Sequence, residues 1–278
     1  MGLAKLRITI SVLCLMSVIT VRGQVTGIDY EKVLLPDVVN VAQPGSLGSL
    51  WITRLTVTNS ADRDVDEYYG TLYDSQIHQG VETCCLPLPA KSTVEVSTLQ
   101  DDPGTRGRGV FYFFDRRFTD QVQISLRVQD LSRQSQTWGT ALPVVRERQF
   151  VNRTVTLNDV RIDATSRLAV RAYSLDSRVR TRVRLSIYAS GAGLLANTPP
   201  DVLLGSQEFD FRTYSYTPIA DNPFPGFLEV SRLDTIASVA GYDRVRVDVT
   251  PLDASRIWAF ASITNNETQH VTIIAPSP

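Results

Sequence analysis

Residues 244–251, RVRVDVTP, alternate charged and apolar side chains over most of their length. In an extended chain successive side chains point to opposite faces, so the three valines share one face and the two arginines and the aspartate share the other. Such alternation is typical of a strand in an antiparallel sheet that has one buried face and one face in water. This segment therefore predicts a half-buried β-strand.

The same period of two recurs on the N-terminal side of this segment. QVQISLRVQD at 121–130, RLAVRAYS at 167–174 and RVRLSIYAS at 182–190 follow it, and clusters of turn-forming residues such as NSADRD at 59–64 separate the runs. No window of about a dozen residues carries a convincing apolar stripe of helical period. Short, regularly spaced strands with polar outer faces predict an all-β fold of antiparallel β-sandwiches.

An internal match relates the two halves of the chain. Leu55 and Val57 match Leu168 and Val170. Further matches follow in the same order: Val94 and Val96 with Phe209 and Phe211, GVFYF at 109–113 with GFLEV at 226–230, and Trp138 with Trp258. Duplication explains this order, and chance similarity between alternating strands is the alternative.

Duplication predicts two tandem immunoglobulin-like sandwich domains, at residues 28–147 and 148–278. The segment that joins them, PVVRERQFVNRT at 143–154, contains no Gly/Ser-rich linker. We therefore expect a stiff connection between the domains rather than a flexible hinge.

Residues 1–23 have the features of a cleaved signal peptide. Two basic residues precede an apolar run of 14 residues, ITISVLCLMSVITV, and Val21 and Gly23 supply the small side chains before the expected cleavage point. A membrane anchor is the alternative, but the run is shorter than the ~20 residues that span a bilayer. We expect a mature protein without a transmembrane segment that is secreted, periplasmic or at the cell surface.

The charge balance of the mature chain gives no argument for binding nucleic acid. Lys5, Arg7 and Arg22 leave with the leader, which takes the formal net charge from −1 to −4. With 43% apolar and 21% charged residues, the composition of the chain is that of a folded globular protein.

Cys84 and Cys85 are adjacent in GVETCCLPLPA, and the remaining cysteine, Cys14, lies in the leader. A disulfide between neighbours forms a strained small ring, because Cα atoms across a trans peptide are only about 3.8 Å apart. The flanking prolines favour a loop, where a vicinal disulfide would stiffen one turn in an oxidising compartment. Two free or differently partnered thiols, and a redox or metal role, are the alternatives.

The mature chain contains no complete catalytic or metal-binding motif. Asp62, Asp64 and Asp66 alternate like the start of a calcium loop, but the glycine and the final glutamate of that loop are missing, which favours a polar turn. The only histidines are His78 and His270, and no nucleophile elbow is present. We therefore assign no catalytic residue, metal or cofactor, although a pair of carboxylates for glycoside hydrolysis is recognisable only in three dimensions.

Arginine is the most suggestive surface feature, since the mature chain has 23 arginines and two lysines. Arg180, Arg182 and Arg184 share one face of a predicted strand, and Arg244 and Arg246 share a face of another. If these strands are the third and sixth of the domain they are neighbours, and the five side chains form an anion-binding face. The alternative is an ordinary solvated face, neutralised by residues such as Asp248 and Glu229.

Three blocks carry a resemblance to a known group of proteins: PGSLGSLWITRLTVTN at 44–59, LRVQDLSRQSQTWGTALPVVRE at 126–147 and WAFASITNNETQHVTIIAP at 258–276. They are similar to segments of secreted bacterial proteins built from paired sandwich domains. The resemblance implies export and fold, and it brings no assigned catalytic residues.

These observations favour an exported, non-enzymatic module for structure, adhesion or ligand binding, whose partner is unknown but would be a cell-surface glycan or protein. A secreted polysaccharide hydrolase is the first alternative. A periplasmic assembly chaperone is the second, and it rests on fold analogy alone.

Overall fold

Strands account for the regular structure of the protein. The computed structural model describes residues 29–39, 42–69, 87–96, 108–133, 139–176, 180–190, 201–212 and 224–277. These ranges contain strands connected by turns and short 3-10 segments, and no α-helix. The all-β prediction is confirmed.

Two units, lobe 1 and lobe 2, follow each other along the chain. The strands of lobe 1 are β1 (Tyr30–Leu35), β2 (Gln43–Pro44), β3 (Leu50–Asn59), β4 (Glu67–Tyr69), β5 (Ser92–Val96), β6 (Val110–Asp115), β7 (Val122–Asp130), β8 (Thr140–Leu142) and β9 (Val145–Arg146). The strands of lobe 2 are β10 (Val155–Arg161), β11 (Ser166–Ser174), β12 (Thr181–Ala189), β13 (Leu203–Phe211), β14 (Gly226–Val230), β15 (Arg244–Pro251), β16 (Ile257–Asn265) and β17 (Val271–Ile274).

Each lobe contains two antiparallel sheets. In lobe 1 the inner sheet has the order β4-β6-β1-β9, and the outer sheet has the order β2-β3-β7-β8 with β5 also paired to β3. In lobe 2 the inner sheet is β14-β11-β16-β17 and the outer sheet is β10-β15-β12-β13. Apolar side chains from both sheets of a lobe form its core, which is the arrangement of a β-sandwich.

The strand order repeats between the lobes. The set β4-β6-β1 in lobe 1 corresponds to β12-β15-β10 in lobe 2, and β5-β3-β7-β8 corresponds to β14-β11-β16-β17. This topology agrees with the sequence match between β3 and β11. In this topology β5 corresponds to β14, and β6 corresponds to β15. The residue matches instead relate β5 to β13 and β6 to β14, so each of these two matches is displaced by one strand. A shared order of strands supports duplication more strongly than the residue matches do.

The third and sixth strands of lobe 2, β12 and β15, are neighbours, as in an immunoglobulin domain. The seventh strand, β16, pairs with the second strand, β11, whereas in an immunoglobulin sheet it pairs with the sixth. Lobe 2 therefore resembles an immunoglobulin domain in its two-sheet sandwich and in the position of β12 and β15, but not in its complete strand order.

Alternation holds in the outer sheets and fails in the inner sheets. Along β15 the three valines are fully buried while Arg244 and Arg246 lie on the outer face. In contrast, every residue of β6, VFYFFD, is buried. A continuous apolar run of this length is typical of a strand covered on both faces. The expectation of a polar outer face is therefore wrong for the inner sheets.

The two inner sheets cover each other, so four sheets stack in the order outer, inner, inner, outer. An interlobe cluster of buried side chains fills the central layer: Leu34, Phe111, Phe113, Val145 and Phe150 from lobe 1 and the join, and Tyr173, Leu175, Trp258 and Phe260 from lobe 2. The rings of Trp258 and Phe260 stack with centroids 5.4 Å apart. The Tyr173 hydroxyl donates a hydrogen bond to the Pro36 carbonyl oxygen across the interface.

In the part of the chain that the structure describes, no helix is both long enough and apolar enough to cross a bilayer.

We predict that Phe260→Ala lowers the free energy of unfolding by about 3–5 kcal/mol, because it removes a fully buried ring from the interlobe cluster. Leu203→Ala on β13 is the control, since Leu203 is 52% exposed and should contribute less than about 0.5 kcal/mol. Urea unfolding followed by circular dichroism measures both values. Equal effects of the two substitutions would contradict the buried position of Phe260.

Candidate functional site

The five arginines of the predicted anion-binding face lie on the outer face of one sheet. β12 and β15 are adjacent, with Arg184 opposite Thr250 and Tyr188 opposite Arg246. The Arg246 guanidinium lies over the Tyr188 ring at 4.2 Å from its centroid. The structure thus brings these side chains onto one surface.

Carboxylates neutralise this surface. Two residues of β13 pair with these arginines. Glu208 contacts Arg184 at 2.7 Å and Arg182 at 3.2 Å, and Asp210 contacts Arg180, which immediately precedes β12, at 2.5 Å. Arg244 and Arg246 pair in the same way with Asp159, Asp201, Asp243 and Asp248.

The arginine pairing holds the pKa of Glu208 below its ordinary value, chiefly through the hydrogen bond from Arg184. The face thus combines five guanidinium groups with six carboxylates that contact them. Anion binding there stays a prediction, and the geometry weakens it.

The remaining sequence candidates do not form a site. Cys84, Cys85 and His78 lie outside the described residues. Asp64 accepts a hydrogen bond from the Ala90 backbone N–H at 2.9 Å, as a residue that closes a polar turn does. Nowhere in the described ranges do three or more His, Cys, Asp or Glu side chains gather to hold a metal ion.

Two open grooves flank the lobe interface. The larger, which we call the charged groove, has a volume of about 540 Å³ and is lined by residues that include Lys32, Glu147, Asp176, Asp253 and Arg256. It lies at the end of the interface where the join between the lobes begins, and it brings together three carboxylates from separate segments. Glycoside hydrolysis needs a pair of carboxylates in one groove, so these three residues are the ones to test for that role, and the sequence could not reveal that they share a groove.

Two of the three carboxylates in the charged groove are held in the ionised form. Burial opposes ionisation of Glu147, but Arg116 at 2.8 Å and Arg256 at 3.4 Å outweigh it and hold its pKa below the usual range. Burial also opposes ionisation of Asp253, but hydrogen bonds from Ser255 and the Arg182 backbone N–H lower its pKa. A general acid for glycoside hydrolysis needs a raised pKa, so neither carboxylate suits that role.

The second groove, which we call the aromatic groove, has a volume of about 330 Å³. Its floor is the part of the lobe 2 inner sheet that extends beyond the interlobe cluster. The outward side chains of β11 and β16 form this floor, with Arg171 opposite Phe260 and Arg167 opposite Thr264. Residues of lobe 1, among them Trp51, form the facing wall.

A partly buried ion pair fixes the inner end of the aromatic groove. Arg171, whose side chain is 15% exposed, contacts Asp37 of lobe 1 at 2.7 Å and Glu229 at 2.8 Å. Burial opposes the charge of Arg171, but Asp37 and Glu229 outweigh it and raise its pKa. Because Asp37 and Arg171 belong to different lobes, this pair also locks the lobes together.

Trp51 is positioned by its own turn. The indole lies against the Gly45 backbone so closely that a Cβ at Gly45 would come within 2.5 Å of Nε1. The other side of the residue packs on the core of lobe 1, and the side chain stays partly exposed in the groove. A glycine at position 45 is therefore required for this indole orientation.

Sequence reasoning identified neither Trp51 nor Arg167 as a functional residue. Both residues lie in strands where they fit the alternation of inward and outward side chains, so neither stands out in the sequence. They line one groove only because the two lobes dock against each other. One signal was present, because Arg167, Arg171 and Tyr173 share a face of β11 that faces away from the lobe 2 core. A strand with arginine and tyrosine on its outer face is consistent with a partly covered sheet.

We predict that Glu208→Gln increases retention of the protein on a heparin resin at low salt, because it releases Arg182 and Arg184 at once. Glu267→Gln is the control: it removes the same charge from an exposed turn away from this sheet. The salt concentration at elution is the readout. If the unaltered protein is already retained as strongly as the Glu208 variant, the neutralised face is contradicted.

We predict that Glu147→Gln lowers the free energy of unfolding at pH 7 by about 1.5 kcal/mol, since Glu147 bridges Arg116 and Arg256. The folded-state pKa of Glu147 is lowered, so its contribution is present above the unfolded value of about 4.3 and is lost as the pH falls through the folded value. Urea unfolding at pH 7 and pH 3 should therefore show a smaller difference from the unaltered protein at pH 3 than at pH 7.

Glu95→Gln is the matched control for this test, because its ion pair with Arg54 is exposed and contributes little. An equal loss at both pH values in the Glu147 variant would show that the charge of Glu147 does not carry the effect.

Comparison of the chain with protein-family models, curated proteins and solved structures finds no match. Its function is therefore inferred from its own geometry.

Proposed function

We propose that the chain is an exported, non-catalytic binding module that presents a ligand groove on a rigid block of two β-sandwiches. The observation that carries this proposal is the locked interface: a buried aromatic cluster and the Arg171–Asp37 ion pair join the lobes beside an open groove. Two docked lobes with a fixed groove suit recognition of a ligand without a closing motion.

Export rests on the leader. Residues 1–23 have the charge, the apolar run and the small residues of a signal peptide. A rigid block with polar outer faces is suited to a secreted, periplasmic or cell-surface location. A glycan or protein of the cell surface is the partner class that this location supplies.

The chemistry of the grooves favours binding over turnover. The carboxylates Glu147 and Asp253 have lowered pKa values and so lack the proton that a glycosidase acid must donate. Asp37, the carboxylate that lines the aromatic groove, is paired with Arg171. Glu147, Asp253 and Asp37 are thus each held by ion pairs or hydrogen bonds and are not free to act as a general acid.

The test is a glycan panel incubated with the full chain, expressed with its leader and purified after export. We expect saturable binding to one class of glycan, with no change in the glycan by mass spectrometry. Release of a product, abolished by Glu147→Gln or Asp253→Asn, would contradict the non-catalytic assignment. An absence of binding across glycan and cell-surface protein panels would contradict the binding assignment itself.

A further inference from the structure

The aromatic groove contains a cation that no carboxylate compensates. The Arg167 guanidinium donates to the Asn266 side-chain oxygen at 2.9 Å and to the Gln269 side-chain oxygen at 2.8 Å, both of which are neutral. Within the described ranges, Arg167 forms no ion pair. Arg171, four residues along the same strand, is paired with two carboxylates. The positive charge of the groove is thus concentrated at Arg167.

The orientation of this guanidinium is fixed by a buried partner. Gln269 is 3% exposed, and its side-chain amide donates to the Asn266 carbonyl oxygen at 2.6 Å and to the Asn265 carbonyl oxygen at 3.3 Å. These bonds hold the Gln269 oxygen where it accepts from Arg167. The planar fork is therefore preorganised, with N–H groups left over for an oxyanion.

The remaining groups of the groove complement a sugar. The hydroxyls of Ser262 and Thr264, neighbours on the outward face of β16, have no hydrogen-bond partner in the described part of the chain. Trp51 lines the opposite wall with a partly exposed indole ring. A saccharide combines these features, because its ring presents an apolar C–H face and its rim presents hydroxyls.

The size and the charge of the groove restrict the class of ligand that it can bind. A volume of about 330 Å³ lies at the small end of the ~300–1,000 Å³ range of ligand sites, so it suits a short stretch of glycan. A single oriented guanidinium that has no carboxylate partner in the protein complements a ligand that carries a single carboxylate. An extended polyphosphate would need several uncompensated cations.

We infer that the aromatic groove binds an acidic saccharide, with a sugar ring against Trp51 and a uronate carboxylate on Arg167. This inference rests on the proposed binding function and names the ligand class for it. The hydroxyls of Ser262 and Thr264 bond to the rim of the sugar. The Arg171 ion pair stays intact and forms the closed end of the site.

Isothermal titration with a digalacturonate and with its neutral counterpart, a galactose disaccharide, tests the inference on the full exported chain. We expect the acidic disaccharide to bind at least about tenfold more tightly than the neutral one, which one charge-assisted hydrogen-bond pair can supply. Arg167→Met should abolish that preference, and Thr264→Val, which keeps the side-chain shape, should weaken both ligands. Arg184→Met, on the neutralised outer face, is the matched control and should change neither affinity.

A tetraglutamate peptide serves as the competing probe. Tight binding of the peptide that also depends on Arg167 would overturn the saccharide assignment in favour of an acidic protein segment. Saccharide binding unchanged by both Arg167→Met and Thr264→Val would overturn the groove as the site while leaving the binding function intact. Cleavage of the disaccharide would contradict the non-catalytic function instead, so the two failures are distinguishable.

Discussion

Burial of the two inner sheets against each other is the constraint on which the rest of the structure depends. β6 and β16 direct alternate side chains into the core of their own lobe and the others into the interlobe cluster. A strand of this kind cannot be half solvated without exposing aromatic rings such as Phe113 or Phe260. Each lobe is therefore incomplete alone, because one of its two outward surfaces is apolar.

The same docking creates the grooves. The inner sheet of lobe 2 is longer than the area that lobe 1 covers, and its uncovered end carries arginine, serine and threonine where its covered end carries tyrosine, tryptophan and phenylalanine. Arg171 lies at the boundary, with Asp37 of lobe 1 as its partner and the Phe260 ring at 5.9 Å from its guanidinium carbon. The change from apolar to polar along β11 and β16 thus sets both where the lobes adhere and where a ligand can enter.

In the part of the chain that the structure describes, four sheets form the stack, and charged side chains lie on both of its outer faces. By strand order, the outer sheet of lobe 1 is the counterpart of the inner sheet of lobe 2. Yet the outer face of β3 and β7 carries residues such as Arg54, Arg127 and Gln129 where the lobe 2 inner sheet carries aromatic rings. A further sheet would have to desolvate these groups, which opposes continuation of the stack.

Period-two alternation was enough to predict the fold class, and the strand order of an immunoglobulin domain was needed in addition to predict that β12 lies beside β15. It could not predict that Glu208 and Asp210 neutralise the arginines, because that depends on which strand becomes the neighbour of β12. The run VFYFF is a sign of burial on both faces that is readable in the sequence, because it contains no polar residue at alternate positions. Trp51 and Arg167 line the same groove only because segments more than a hundred residues apart in the sequence dock against each other. No local sequence pattern could therefore indicate that these two residues share a site.

The central claim, that the inner sheets are one shared core, is tested most directly by native-state hydrogen exchange of the full chain. If it is correct, the backbone amides of β6 and β16 are the slowest to exchange and share one opening free energy, equal to that of global unfolding. Exchange of β6 and β16 with two different free energies, each following the unfolding of its own lobe, would contradict it.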